Sequence, residues 1–390
     1  MTSSTEETTY SPIVTTRSQR ILEDDTKPKR LLSIDALRGF DMLFISGAGT
    51  FLLLLEGKTG LAWVDAIARQ MEHPAWNGFT FYDFIFPLFL FVAGVSLPFS
   101  LNKGLTLGMG KTELYRKAFR RMLILIALGW LYKNAPITFF EPSQIRLGSV
   151  LGRIGFAGFI TTILYLNFSA KARLGWVAGI LLLYYASLFL IPVPGYGAGD
   201  LSFEGNLVGW FDRTFLPGRL LQGTYDELGL LTQLPALCLT ILGAAAGDTL
   251  RANSTDTRKL QNLLFAGAVC VGLGLLWSLH FPINKHLWSS SFILLTGGMA
   301  FLLLGLFFWI IDVLDFQRWA FFFQVIGLNS LTIYLAYRFI DFHYTSQLLF
   351  GGLYAPASEA WQGVSQSLGA LALVWLFLYF LYRNKLFLKV

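Results

Sequence analysis

The sequence predicts an all-α fold: a polytopic membrane helical bundle of about ten transmembrane helices, with the N- and C-termini both cytoplasmic. Three observations predict it. Hydrophobic residues make up 54% of the 390 positions and charged residues only 14%, where soluble domains carry about a quarter charged residues. Mean hydropathy is +0.56. The apolar residues fall in continuous runs of about 20, the length of helix that crosses a hydrocarbon core, and they do not alternate with polar ones as barrel strands do.

Residues 1–30 are polar, with TSSTEETT and EDDTKPKR, and lack the roughly 7–15-residue apolar core of a cleavable signal. They read as a disordered cytoplasmic tail ahead of a membrane domain over 31–390. Spans are predicted at 36–55, 80–100, 118–136, 148–167, 172–192, 229–249, 261–280, 288–311, 319–340 and 363–382. With the N-terminus inside, about 21 of the 30 Lys and Arg residues fall on the cytoplasmic side, as the positive-inside rule requires. The densest cluster is KTELYRKAFRR at 111–121, which sets topology or attracts an anionic cytosolic ligand. The net charge of +6 therefore reports orientation in a lipid bilayer, and no nucleic-acid partner is expected. Cys238 and Cys270 lie inside apolar runs as small packing residues, without metal-ligand spacing, so no metal is expected.

This topology puts His73, His280, His286 and His343 at external ends of spans. His73 stands in MEHPAWNGFTFYD, immediately before the very apolar second span, with Asp83 three residues inside that span. A carboxylate can fix the tautomer of a histidine and stabilise its protonated form, although spacing alone does not say whether these two touch. The longest external loop, 193–228, holds turn-forming Gly and Pro together with Trp210, Phe211 and Phe215, and reads as a cap over an external pocket.

Ionisable residues inside spans are costly and face a cavity or a partner. Asp35, Arg38 and Asp41 lie three apart on one stripe of the first span, either as an Asp–Arg pair or with Arg38 holding an anionic donor. Arg153, in GSVLGRIGF, pairs with a buried acid or a ligand. Asn329 is expected to cross-link helices by hydrogen bonds, and the GAG at 47–49 to allow close helix packing. No Walker loop, dinucleotide fingerprint or zinc spacing is present.

The patches SIDALRGFD, HPAWNGFTFYDFIFPLFLFVAGVSL, GSVLGRIG, FPINKHLW and GLNSLTIY, in that order from about residue 31 to the C-terminus, resemble the heparan-alpha-glucosaminide N-acetyltransferase family, and look closest to its bacterial branch. The resemblance implies a multi-pass enzyme of the cell membrane that takes acetyl-CoA from the cytosol and passes the acetyl group to an amino sugar on the far side. The family's active-site histidine matches His73 and its aspartate matches Asp83. It also implies a homodimer. One departure is plain: the family's functional asparagine shortly before its histidine has no counterpart, since residues 41–72 contain no asparagine. The family's large lumenal N-terminal extension is not expected here either. An acceptor other than heparan sulfate, such as a cell-envelope glycan, is expected.

The mechanism this implies assigns His73 as general base or as acetyl carrier, Asp83 as its orienting carboxylate, and Asn77 either as an oxyanion donor or as the N-cap of the second span. Arg38, Arg120, Arg121 and Arg153 are assigned to the acetyl-CoA donor, and Trp76, Asp41 and His286 to the acceptor. Two other classes compete. A small-molecule or glycan-precursor transporter fits the span number, but the sequence shows no pair of broken helices of the kind carriers use. A scaffold without chemistry is the third reading.

Overall fold

In hydrocarbon a backbone must satisfy its own hydrogen bonds, so the apolar runs have no alternative to helix. The computed structural model describes residues 31–136 and 141–388. The expected 1–30 tail and Lys389 lie outside them. Among the described residues the regular structure is helical, apart from one isolated bridge between Val193 and Gly197.

Among the described residues eight helices are long and apolar enough to cross a membrane. They are α1 (Leu32–Leu53), α3 (Phe81–Thr106), α5 (Val150–Asn167), α6 (Ala170–Leu190), α8 (Gln233–Arg251), α9 (Asp256–Ser278), α10 (Ser290–Val313) and α14 (Glu359–Arg383). A ninth candidate is a broken pair, α11 (Ala320–Leu328) and α12 (Ser330–Phe339), bent by 67°. The remaining α-helices are α2 (Ala62–Arg69), α4 (Lys111–Asn134), α7 (Leu207–Phe215) and α13 (Phe342–Tyr354). Ten spans were expected. The difference is α4: it is 24 residues long, but the charged KTELYRKAFRR forms its first half, so it falls short as an apolar span.

The bundle is layered by burial. In α3, α8 and α10 the share of the apolar window that is buried is 67%, 72% and 67%, whereas α9 shows 17% and α6 and α14 show 28%. The first three are thus the inner helices, and the other three turn most of their apolar surface outward, as lipid-facing helices do. The inner contact of α3 with α8 is made by glycine. A Cβ on Gly94 would run into the Thr240 carbonyl, and one on Gly243 or Gly247 into the Phe91 or Val95 carbonyl. Gly243 and Gly247 form the small-xxx-small spacing that lets two membrane helices approach backbone to backbone, where dispersion does the work that water exclusion does elsewhere.

Two spans are interrupted, which corrects the expectation of unbroken helices. In α1 a π-turn runs over Phe44–Ala48, with Gly47 at φ +107°. Gly47 is therefore needed for a left-handed backbone conformation that other residues rarely adopt, and not only for close packing. The second break falls at Asn329, between α11 and α12. Asn329 is buried and its side-chain amide has no hydrogen-bond partner among the described residues, so it marks a hinge and does not cross-link helices. The Tyr337 hydroxyl of α12 donates to the Ser46 carbonyl freed by the π-turn, tying the two breaks together.

The α3–α8 contact has no room for a side chain. Gly243→Val should lower the midpoint of thermal unfolding in detergent by several degrees and reduce the yield of monodisperse protein, a destabilisation on the order of 1–3 kcal/mol. Tryptophan-fluorescence melting curves that overlay the wild type would contradict this packing.

Candidate functional site

The first turn of α3 builds the centre of the site. Thr80 is its N-cap, in extended conformation. The Thr80 backbone N–H donates to Asp83 Oδ2 at 3.0 Å, and the Thr80 hydroxyl donates to the Glu72 carbonyl at 2.6 Å. This capping box fixes both the helix start and the chain that precedes it. It also leaves Asp83 Oδ1 pointing back along that chain, 2.6 Å from Nδ1 of His73. The Asp83 side chain is 1% exposed and that of His73 is 40% exposed, so a buried carboxylate holds an accessible imidazole. A carboxylate only accepts, so Nδ1 carries the proton, and in the neutral ring Nε2 presents a lone pair.

A second loop completes the centre. Between α9 and α10, Asn284 organises the turn: its Oδ1 accepts from Leu287 N at 2.8 Å, and its backbone N–H donates to Ser289 Oγ at 3.1 Å. Its Nδ2 donates to Asn77 Oδ1 at 3.0 Å, which joins this loop to the His73 loop. Trp288 adopts φ +52°, a strained backbone for a bulky residue, and is fully buried. The loop thereby projects Lys285 back toward His73, with Nζ 3.0 Å from Nε2 and 3.6 Å from Asp83 Oδ1.

Beside this triad lies a second cluster. Glu227 Oε2 is 3.9 Å from Lys285 Nζ and its Oε1 is 3.6 Å from His286 Nδ1. The Tyr225 hydroxyl is 2.7 Å from the same His286 nitrogen, and the imidazole stacks on Trp76 with planes 5° apart. Burial alone raises the Glu227 carboxyl, but the His286 hydrogen bond and the nearby Lys285, His286 and His73 charges outweigh it and hold it down at about 2. Burial pushes the Tyr225 phenol up, with Glu227 and Asp226 adding to the rise.

The 191–232 connection supplies this cluster and is folded in detail. Its helix α7 is capped by Asn206, and Trp76 Nε1 donates to Leu201 O at 2.9 Å. Arg146 grips Asp226 with two hydrogen bonds of 2.6 and 2.7 Å, both side chains buried. Asp226 in turn orders the turn around it by accepting from the backbone of Leu221 and Leu228. Asp212 accepts from Leu230 and Asp226 N–H groups, yet burial outweighs these bonds and lifts its carboxyl to about 6.

At the other end of α3 the bundle holds two adjoining cavities. One, of about 420 Å³, is lined by Lys117, Arg120 and Arg121 with Leu97, Leu101 and Phe159. The other, of about 300 Å³, shares Arg121, Ala93 and Ile154 with it. This second cavity follows α3 from Ser96, to which Arg38 donates at 2.7 Å, up to Phe86. Phe86 is three residues, about one helical turn, below Asp83. The break between α11 and α12 contributes Gly327, Leu328, Ser330 and Leu331 to its wall.

The residues singled out from sequence therefore separate into two places. His73, Asp83, Asn77, Trp76 and His286 come together at one end. Asn77 is not the N-cap of α3, a role that Thr80 takes. Arg38, Arg120 and Arg121 line the cavities, and Arg38 also pairs with Asp35 at 3.3 Å. Arg153 sits apart from them, fully buried under the Lys285 loop, with its guanidinium 4.5 Å from the Trp288 ring and its Nη2 donating to Thr232 at 2.5 Å. Asp41 is buried in α1, with neither carboxylate oxygen hydrogen-bonded among the described residues. Of the four histidines, His280 packs instead on Tyr185 and Phe189. Lys285, Glu227 and Tyr225 were not singled out. Lys285 stands within FPINKHLW, but only the fold turns it toward a residue 212 positions away.

The two shifted carboxyls of the 191–232 connection give opposite pH signatures. Glu227, depressed from 4.5 to about 2, contributes stability that is present above pH 4.5 and lost as pH falls toward 2. Asp212, raised from 3.8 to about 6, is most stabilising when protonated, and its contribution falls as pH rises from 3.8 to 6. Melting temperatures of Glu227→Gln and wild type should converge toward the acid end of the first window, and those of Asp212→Asn should lose the slope across the second. Parallel curves for either pair would contradict the assignment.

A family model described as a domain of unknown function, DUF5009, matches residues 30–171, which include α1, His73, Asp83 and α4. Over 93% of its length the chain is similar to the human protein heparan-alpha-glucosaminide N-acetyltransferase, at 27% identity, and to the mouse protein of that name, at 26% identity. The matched part spans 60% of the length of either relative. The chain is thus a multi-helix membrane protein distantly related to the heparan-alpha-glucosaminide N-acetyltransferases.

Proposed function

We propose that this protein is a membrane acetyltransferase that moves an acetyl group from cytosolic acetyl-CoA to the amine of an amino sugar or a related envelope glycan on the other face. The observation that carries the reading is the His73–Asp83 pair, 2.6 Å apart, with the imidazole 40% exposed and the Lys285 amine 3.0 Å from its Nε2. A general base so placed removes the acceptor proton as the amine attacks the thioester carbonyl, an effect worth roughly 10²–10⁴-fold. The same nitrogen is also suited to carry the acetyl group between donor and acceptor. Asp83 holds the tautomer and steadies the charge that develops on the ring.

The donor fits the residues present. Arg38, Arg120, Arg121 and Lys117 offer fixed cations for phosphates at the cavity end. The apolar cavity along α3 leads from them to Phe86, close below Asp83. A thin acyl-bearing arm suits such a passage, while the charged end stays with the arginines. The Trp76–His286 stack and Glu227 supply a flat face and a carboxylate for a sugar that carries an ammonium group.

Two results test this. In purified protein supplied with acetyl-CoA and glucosamine, His73→Ala should lose acetyl transfer by at least about 10²-fold, and Asp83→Asn by a similar order, with unchanged size-exclusion profiles. Full retention by His73→Ala removes the catalytic assignment. Arg121→Ala should weaken acetyl-CoA binding and flatten its dependence on salt. Equal affinity at low and high salt in wild type and variant would remove the donor site.

One observation favours a transporter instead: the two interrupted spans, tied through Tyr337 and Ser46, resemble the broken helices of carriers. Uptake of labelled glucosamine into proteoliposomes without chemical change would support that reading over acetyl transfer.

A further inference from the structure

Lys285 presents an amine where an acceptor amine would have to stand. Its Nζ lies 3.0 Å from Nε2 of His73 and 3.3 Å from Nδ1, so the amine sits against the imidazole within reach of both ring nitrogens. The side chain is 12% exposed and lies between two carboxylates, Asp83 at 3.6 Å and Glu227 at 3.9 Å. The strained turn at Trp288 and the Asn284 hydrogen bonds fix the backbone that carries it. A surface lysine samples many positions. This one is held at the nitrogen that acts on acceptors, in the geometry that makes an intramolecular reaction efficient.

We propose that Lys285 is a self-acetylation site. When donor is loaded and no external acceptor is present, the acetyl group passes to Nζ, and the acetylated lysine then blocks the site. This rests on the acetyltransferase reading above. The ammonium of Lys285 first releases one proton to water at the open rim. The Nζ lone pair then attacks the thioester carbonyl, the C–N bond forms and the C–S bond breaks. His73 Nε2 takes the second proton from Nζ and returns it to the departing sulfur. The products are Nε-acetyl-Lys285, free CoA thiol and one proton in solution.

The surroundings also explain why this reaction stays slow beside the main one. Nζ has to leave its ion pairs with Asp83 and Glu227 before its lone pair can attack, a cost that an acceptor arriving from solution does not carry. Acetylation removes a positive charge from between two carboxylates and replaces it with a larger, neutral amide. The acceptor position is then filled and Glu227 loses a counter-charge.

The full-length protein in detergent should be incubated with acetyl-CoA, with and without glucosamine, and digested for peptide mass analysis. Without acceptor, the peptide containing Lys285 should gain one acetyl group per chain over a slow time course, with transfer activity falling in proportion. Glucosamine should slow the labelling at least several-fold, and His73→Ala should abolish it. Whatever its starting rate, the Lys285→Arg variant should lose no further activity through the same preincubation that silences the wild type, and a decline in proportion to the wild type's overturns the proposal. Turnover of glucosamine with Lys285 unmodified overturns this proposal and leaves the acetyltransferase reading standing. Equal labelling of Lys285 in His73→Ala, or in heat-unfolded wild type, marks uncatalysed chemistry and also overturns it. If neither glucosamine nor Lys285 is acetylated, both proposals fall.

Discussion

The structure turns on one buried carboxylate. Asp83 sits in the first turn of an inner helix with its side chain 1% exposed, and a charge there is expensive unless it is matched. The match comes from three directions: the Thr80 N–H and the positive end of the helix from below, His73 from the preceding loop, and Lys285 from a loop more than two hundred residues on. Each partner fixes a piece of chain. Thr80 sets where α3 begins, His73 pulls the 70–80 segment over the helix end, and Lys285 draws the 283–289 turn against both. Glu227 then stands 3.9 Å from Lys285 on a turn whose neighbouring residue Asp226 is held by the Arg146 clamp. One desolvated charge thereby organises the connections at that end of the bundle.

Much of the fold was legible, for a simple reason. Hydrocarbon admits helices almost alone, so composition and run length give both element type and approximate position, and the inner spans fall within a few residues of where the apolar runs predict them. What run length cannot report is charge tolerance and interruption. The first half of α4 is too charged for an apolar span, while the breaks at Gly47 and Asn329 are encoded by single residues inside otherwise ordinary apolar stretches. A glycine in a membrane helix looks the same in sequence whether it packs, as Gly243 does, or bends the chain, as Gly47 does. Only the φ angle separates them.

The site was legible where its residues are local. His73 and Asp83 are ten apart and bracket a helix start, so the contact between them depends on a short loop and one cap. Lys285 and Glu227 come from two other connections, and their convergence is a property of the bundle. Neither carries a local signal beyond being a charged residue in a loop, which is where charged residues ordinarily lie. The separation of Arg153 from Arg38, Arg120 and Arg121 has the same origin. Arginines near helix ends look alike in sequence, yet Arg153 stacks on Trp288 beneath the site while the others line cavities at the opposite end.

That separation bears on how a group could cross the bilayer without its carrier. A charged side chain near the middle of a bilayer costs about 2.5–3.5 kcal/mol on insertion scales, so cations gather at the ends unless a partner or a cavity keeps them inside. Here Arg120, Arg121 and Lys117 stand at one end of α3 and His73 with Lys285 at the other, and the wall between them is mostly apolar. On the proposed reading a polyanionic donor is held at the first end by the same electrostatics that bar it from the passage, and a neutral thioester meets no such barrier. The break at Asn329 then gains a purpose. Gly327, Leu328, Ser330 and Leu331, on the two sides of a 67° bend, line the space along α3. An interruption that resembles a carrier's gate is, in this geometry, also what a fixed channel for an acyl arm requires.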